Sequence, residues 1–143
     1  MNFLRIELPP RFHDYGLLII RLALGFFLLY GHGWGKLTRL FGSEEIQFAD
    51  PFGLGPAVSL GLAVFAEFFC ALLLMAGLFT RAALIPLIFT MATAFFTVHL
   101  TDEFGQQEKA LLYGFAFIGL FLTGPGRLSL DAQWQKNKAS TGN

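Results

Sequence analysis

The stretch Ala57–Phe79, AVSLGLAVFAEFFCALLLMAGLF, decides the fold: its 23 residues carry one charge, Glu67. A helix needs about 20 residues, each rising about 1.5 Å, to cross about 30 Å of hydrocarbon. This segment therefore has the length and composition of a membrane span. Immediately after it, Ala82–Leu100 (AALIPLIFTMATAFFTVHL) supplies 19 residues with no acid, lysine or arginine. The link Gly77–Arg81 is too short for anything but antiparallel neighbours. Pro86 falls about one turn into the later span, where few backbone donors have partners to lose.

Two more apolar segments flank this pair. Upstream, Tyr15 to about His32 is interrupted by Arg21 and fades into Gly31-His32-Gly33-Trp34-Gly35-Lys36. Downstream, Ala110–Thr123 has 14 residues and reaches spanning length only with Glu108 and Gly124 included; Gly124-Pro125-Gly126 then stops it. The expectation is an all-α integral membrane four-helix bundle, up-down-up-down, forming a single transmembrane domain. Its helices fall at approximately residues 15–33, 57–79, 82–100 and 108–124, with a polar cytoplasmic tail over 125–143. Between the first two helices, Lys36-Leu37-Thr38-Arg39-Leu40-Phe41 mixes charge with apolar bulk and reads as an interfacial segment. The remainder of that loop, with Asp50-Pro51, Gly53, Gly55 and Pro56, reads as irregular.

Composition gives the same solvent. Of 143 residues, 55% are hydrophobic, 18 are Phe, and only 14% are charged, where soluble domains carry about 25%. Mean hydropathy is +0.58. A soluble fold of this size has too much surface to hide such a load, and nothing here is polar enough for disorder. Net charge is zero, so no basic field attracts nucleic acid. The lone Cys70 excludes an internal disulfide and a Cys-only zinc site, and no metal site is expected. Met1–Asp14 contains Glu7, Pro9-Pro10 and Asp14 and does not read as a signal peptide. No period-2 alternation of the kind a membrane barrel needs is found.

Lysine and arginine set the orientation. With the N-terminus inside, Arg5, Arg11, Arg81, Arg127, Lys136 and Lys138 face the cytoplasm, against Lys36, Arg39 and Lys109 outside. Six against three predicts both termini cytoplasmic by the positive-inside rule.

Ionisable groups inside a membrane are expensive, so each is a functional candidate. Counting from His32 and from Ala57, Arg21 and Glu67 lie at matching depths of about 15 Å. The expectation is an Arg21–Glu67 pair across the first two helices, forming an intramembrane polar core. Such a pair serves either ligand chemistry or the fixing of helix register. Ala63, Ala71 and Cys70 flank Glu67 on its own helix, so small neighbours mark a helix–helix seam there. Gly31, Gly33 and Gly35 argue against an unbroken helix and admit close backbone approach. Up-down topology brings His32, Lys36, His99 and Glu108 near the outer interface, where they either bind a ligand head group and relay protons or simply face water. Haem ligation by His32 and His99 is not expected, since no attachment motif accompanies them.

Taken in order, these motifs resemble the DoxX family. Arg21 runs into Gly31-His32-Gly33-x-x-Lys36, Glu67 sits in mid-helix, and Gly77-Leu78-x-Thr80-Arg81 follows. Glu108-x-Ala110-Leu111-Leu112-Tyr113 then leads to Gly124-Pro125-Gly126-x-Leu128-Ser129-Leu130-Asp131. The resemblance spans roughly Tyr15 to Asp131. It implies a small bacterial inner-membrane protein of four helices with a possible redox association, through likeness to membrane subunits of a thiosulfate:quinone oxidoreductase. It implies no settled catalytic residues. The resulting expectation is an accessory subunit of a quinone-linked redox system, with quinone as the candidate ligand. Its partners would be the lipid bilayer and a redox protein or further copies of itself. A small oligomeric transporter or channel subunit, and a structural scaffold, are the alternatives.

Overall fold

A computed structural model describes residues 9–141 of the chain; Arg5, counted above among the cytoplasmic cations, lies outside them. Within them every regular element is a helix. Helix α2, Pro56–Ala76, opens with Pro56, whose missing N–H costs nothing in a first turn. Gly55 precedes it at φ +93°, a conformation left to glycine. α2 ends at Gly77, φ +67°, where Leu78 N donates to Leu73 O (3.0 Å) and Gly77 N to Leu74 O (3.1 Å), a Schellman turn.

α3, Thr80–Val98, follows after two more residues. Phe79 enters it at φ +47°, which costs a non-glycine residue about 1 kcal/mol. The conformation is held from far along the chain: the Asp131 carboxylate accepts from Phe79 N (2.8 Å) and Thr80 N (2.9 Å), and Asp131 N donates to Gly77 O (2.8 Å). α4, Phe104–Thr123, and α5, Leu130–Thr141, complete the chain.

α1 departs most from expectation. It runs unbroken from Pro10 to Leu40, 31 residues, straight through the three glycines. Lys36–Leu40 are its last turns rather than a separate interfacial segment. Gly33 is itself helical (φ −66°, ψ −44°). Glycine inside a helix costs about 1 kcal/mol against alanine, and packing offsets it here. A Cβ on Gly33 would collide with the backbone oxygen of Glu67, and one on Gly25 with Met75 and the Ala71 carbonyl. These glycines make the α1–α2 seam instead of ending a helix. Ala71, beside Glu67, is fully buried in that seam.

Three helices each widen into a single π-turn: Leu29–Gly33 in α1, Phe65–Cys70 in α2 and Ala94–Val98 in α3. The first two pack against each other. Such turns are rare and gather at functional positions, because they displace side chains from the ordinary helical stripe.

α1 packs on α2, α2 on α3 and α3 along α4, which also touches α1. Leu28, Leu74, Leu84, Leu87 and Phe117 fill the space between them. The exterior is apolar as well: Phe27, Tyr30, Phe89, Phe115 and Leu122 all stand exposed. α1, α2 and α3 are each long and apolar enough to cross a bilayer. α4 begins with the polar run Gln106-Gln107-Glu108-Lys109. An apolar core inside an apolar shell is the arrangement lipid favours, and the chain is an all-α membrane protein.

Candidate functional site: a pocket at the loop end

Both ends of the molecule hold buried charge. At the end where α2 closes and α3 begins, Arg21 is the largest fully buried side chain. Its guanidinium donates to Leu74 O (3.3 Å) and Leu128 O (2.6 Å) and lies against Gly77, where any Cβ would strike it. Leu74 is in the last turn of α2, so the cation sits where unsatisfied carbonyls and the negative end of the helix dipole meet. Around it, Asp14 accepts from Arg127 N (2.9 Å), Ser129 Oγ donates to Gly126 O (2.7 Å) and Arg81 Nε donates to Phe121 O (3.2 Å). Arg21 thus ties α1, the close of α2 and the segment after α4 together.

The expected Arg21–Glu67 pair is not formed: Glu67 is paired with Lys36 instead. Register gives the reason. Gly33 meets Glu67 and Gly25 meets Met75, so eight steps along α1 match eight steps back along α2. Continued, this antiparallel register carries Arg21 opposite Phe79, beyond the end of α2. The first helix continues to Leu40, eight residues or about two turns beyond His32, and this extension moves the alignment away from the expected pairing.

At the opposite, loop end, the Lys36 ammonium and the Glu67 carboxylate form an ion pair, their side chains 22% and 6% exposed. Glu67 lies in the π-turn of α2, directly behind the Gly33 contact. On one side of the pair is a cavity of about 420 Å³ with largely apolar walls, including Phe48, Phe52, Leu62, Phe89 and Thr93. On the other is a smaller, more polar space of about 100 Å³, where His32, Gln106, Lys109 and Tyr113 gather. Lys36, Glu67 and His99 line both.

Of the residues singled out in the sequence, His99 sits at the end of α3, with Nδ1 2.6 Å from Asp102 Oδ2. His32 stands edge-on to the Tyr113 ring at 6.4 Å in the smaller space, which is too small to hold a porphyrin between His32 and His99. Glu108 is exposed and lines neither cavity. Among the described residues no three His, Cys, Asp or Glu side chains are placed to hold a metal ion.

Sequence reasoning missed the latch that shapes the pocket. Asp50 accepts from Leu54 N (2.9 Å), Gly55 N (2.8 Å) and Ser59 Oγ (2.7 Å), tying the loop to the first turn of α2. The Ser59 hydroxyl first, and the Gly55 N–H next, hold the Asp50 carboxyl below its ordinary range. The loop so fixed lays Phe52 flat against Phe89, ring centroids 5.8 Å apart, and brings Phe48 within 6.0 Å of Lys36 Nζ. The available signal was an Asp followed by Pro and two glycines just ahead of a helix. The Asp131 cap on α3 had no local signal, since donor and acceptor are 52 and 51 residues apart.

An all-helical membrane protein with an ion pair on the wall of an apolar pocket is the class these features define. The chain belongs to the DoxX family, whose model matches residues 16–100, from the second turn of α1 to just past the end of α3. It is 31% identical over 138 residues to the inner membrane protein YphA of Escherichia coli (strain K12), across 85% of this chain and 96% of that one. No solved structure matches it. The matched stretch contains Arg21, Lys36, Glu67 and His99.

Proposed function

We propose that this chain binds the head of a quinone at Lys36, Glu67 and His99, as an accessory subunit of a quinone-linked redox system. One observation carries the proposal: a cation and a carboxylate stand together on the wall of an otherwise apolar cavity. The Lys36 ammonium is a donor for a quinone carbonyl, and the Glu67 carboxylate an acceptor for a quinol hydroxyl. The pair therefore offers a partner to either redox state. His99 adds a ring nitrogen, and the phenylalanines suit a planar ring. A volume of about 420 Å³ falls in the range of small-molecule sites. Electrons would come from a partner redox protein. The bacterial inner membrane is supported by the relative's description, and cytoplasmic termini by the six-to-three division of cations.

The scaffold alternative has its own observation: the network round the fully buried Arg21 joins three chain segments. We assign Arg21 to structure and the loop end to binding. A transport path is disfavoured by the packed layer of Leu28, Leu74, Leu84, Leu87 and Phe117 between the two ends.

Titration of a short-chain benzoquinone into the protein in lipid nanodiscs, followed calorimetrically, tests the proposal. Binding is expected in the wild type, at least tenfold weaker in Glu67→Gln and Lys36→Met, and unchanged in Glu108→Gln. No binding, or equal binding in all four proteins, would overturn it.

A further inference from the structure

The large cavity exists because two helices part. α2 packs on α3 chiefly along Phe65–Ala76, while its Pro56–Val64 half packs against the end of α1. Toward the loop end α2 and α3 therefore leave a cleft, floored by the Lys36–Glu67 pair and roofed by the 41–55 loop.

The cleft opens sideways. Leu62 on α2 and Phe89 on α3 line the cavity and are 54% and 60% exposed, so the cavity is not sealed between them. Both belong to helices long and apolar enough to span, and an exposed Leu and Phe there are side chains suited to lipid contact. Phe52, also 54% exposed, is stacked across the opening on Phe89. The walls are thus graded, with charge at the inner end and hydrocarbon at the mouth. A single ring at the ion pair fills only part of this volume.

From this geometry we infer that the pocket takes a lipid-borne amphiphile, which enters from the bilayer between α2 and α3. Its polar head reaches Lys36 and Glu67, its hydrocarbon tail leaves between Leu62 and Phe89, and Phe52 is the gate that selects it. The inference rests on the pocket being the binding site proposed above, and adds to it the tail, the route and the gate. Asp50 is a positioning residue in this scheme, because it sets the loop that carries Phe52.

Two benzoquinones with the same head, one bearing a methyl and one a decyl chain, test it in nanodiscs, with affinities expressed per mole fraction in the lipid. The decyl probe is expected to bind at least tenfold tighter than the methyl probe in the wild type. Leu62→Trp, which narrows the cleft, should weaken the decyl probe at least five times more than it weakens the methyl probe. Equal affinities in the wild type, or equal losses in the variant, overturn the inference while leaving the head site standing. If neither probe binds, the quinone reading falls, and a ligand-free measurement decides the route. A nitroxide on Thr93→Cys, in a Cys70→Ala background, is expected to collide with oxygen dissolved in lipid and to be shielded from an aqueous nickel chelate. The reverse pattern overturns lateral access.

Discussion

Two cations of this protein, Arg21 and Lys36, sit in opposite circumstances. Arg21 is enclosed completely, faces backbone carbonyls from two segments far apart in the chain, and lies tight against Gly77. Lys36 is partly open, faces a carboxylate, and has a cavity on either side. A guanidinium holds several carbonyls at once in fixed geometry, whereas an ammonium on a flexible stem changes partner easily. The fold thus spends one cation on closing the Arg21 end and leaves the other available at its loop end.

The largest effect that would break this contrast is loss of the closed end. Arg21→Met removes two bonds from a buried charged donor to backbone carbonyls and is expected to destabilise the protein by about 3–5 kcal/mol. Thermal unfolding in detergent would show it, and the fraction that remains folded should still bind benzoquinone. Next comes the seam that separates the ends. Gly33→Val drives a side chain into the Glu67 carbonyl, costing about 1–3 kcal/mol and displacing the π-turn that carries the carboxylate. Here stability and ligand binding should fall together, which the same two measurements would register.

At the open end the order of effects inverts. Glu67→Gln keeps the shape of the side chain and a hydrogen-bond acceptor, so unfolding should shift by only about 1 kcal/mol while ligand affinity falls tenfold or more. A large loss of stability in Glu67→Gln, equal to that of Arg21→Met, would erase the distinction between the ends. The smallest effect concerns the latch. Because the folded Asp50 carboxyl is held below its ordinary range, its contribution is present above the unfolded value of about 4 and is lost as pH falls through the lower folded value. Amide-exchange protection of Leu54 and Gly55 should therefore persist at neutral pH and fade only in acid. Asp50→Asn should show the unprotected rates throughout, with global unfolding little changed.

The sequence made the spans legible because hydropathy accumulates residue by residue, and Ala57–Phe79 has no soluble reading. It also flagged Arg21, Lys36 and Glu67, since charge among apolar residues is visible without coordinates. It misjudged Gly31, Gly33 and Gly35, which all lie inside a continuous helix; glycine serves helix endings and helix contacts equally well, and at Gly33 only the partner backbone at Glu67 tells which. That one misreading moved the end of the first helix and, with it, the partner of Glu67. The fixed loop was beyond reach for another reason: Phe52 on Phe89 joins residues whose proximity follows from the parting of α2 and α3, not from any local pattern.

What the sequence alone determined is the solvent, the helical class and the positions where charge enters oil. These follow from transfer free energies that each segment expresses by itself. What the tertiary structure decided is who faces whom: Arg21 with the end of α2, Lys36 with Glu67, and Asp131 with the start of α3. Those choices depend on register between two helices. Register is set where small residues let backbones touch, a joint property of two segments that neither one carries alone.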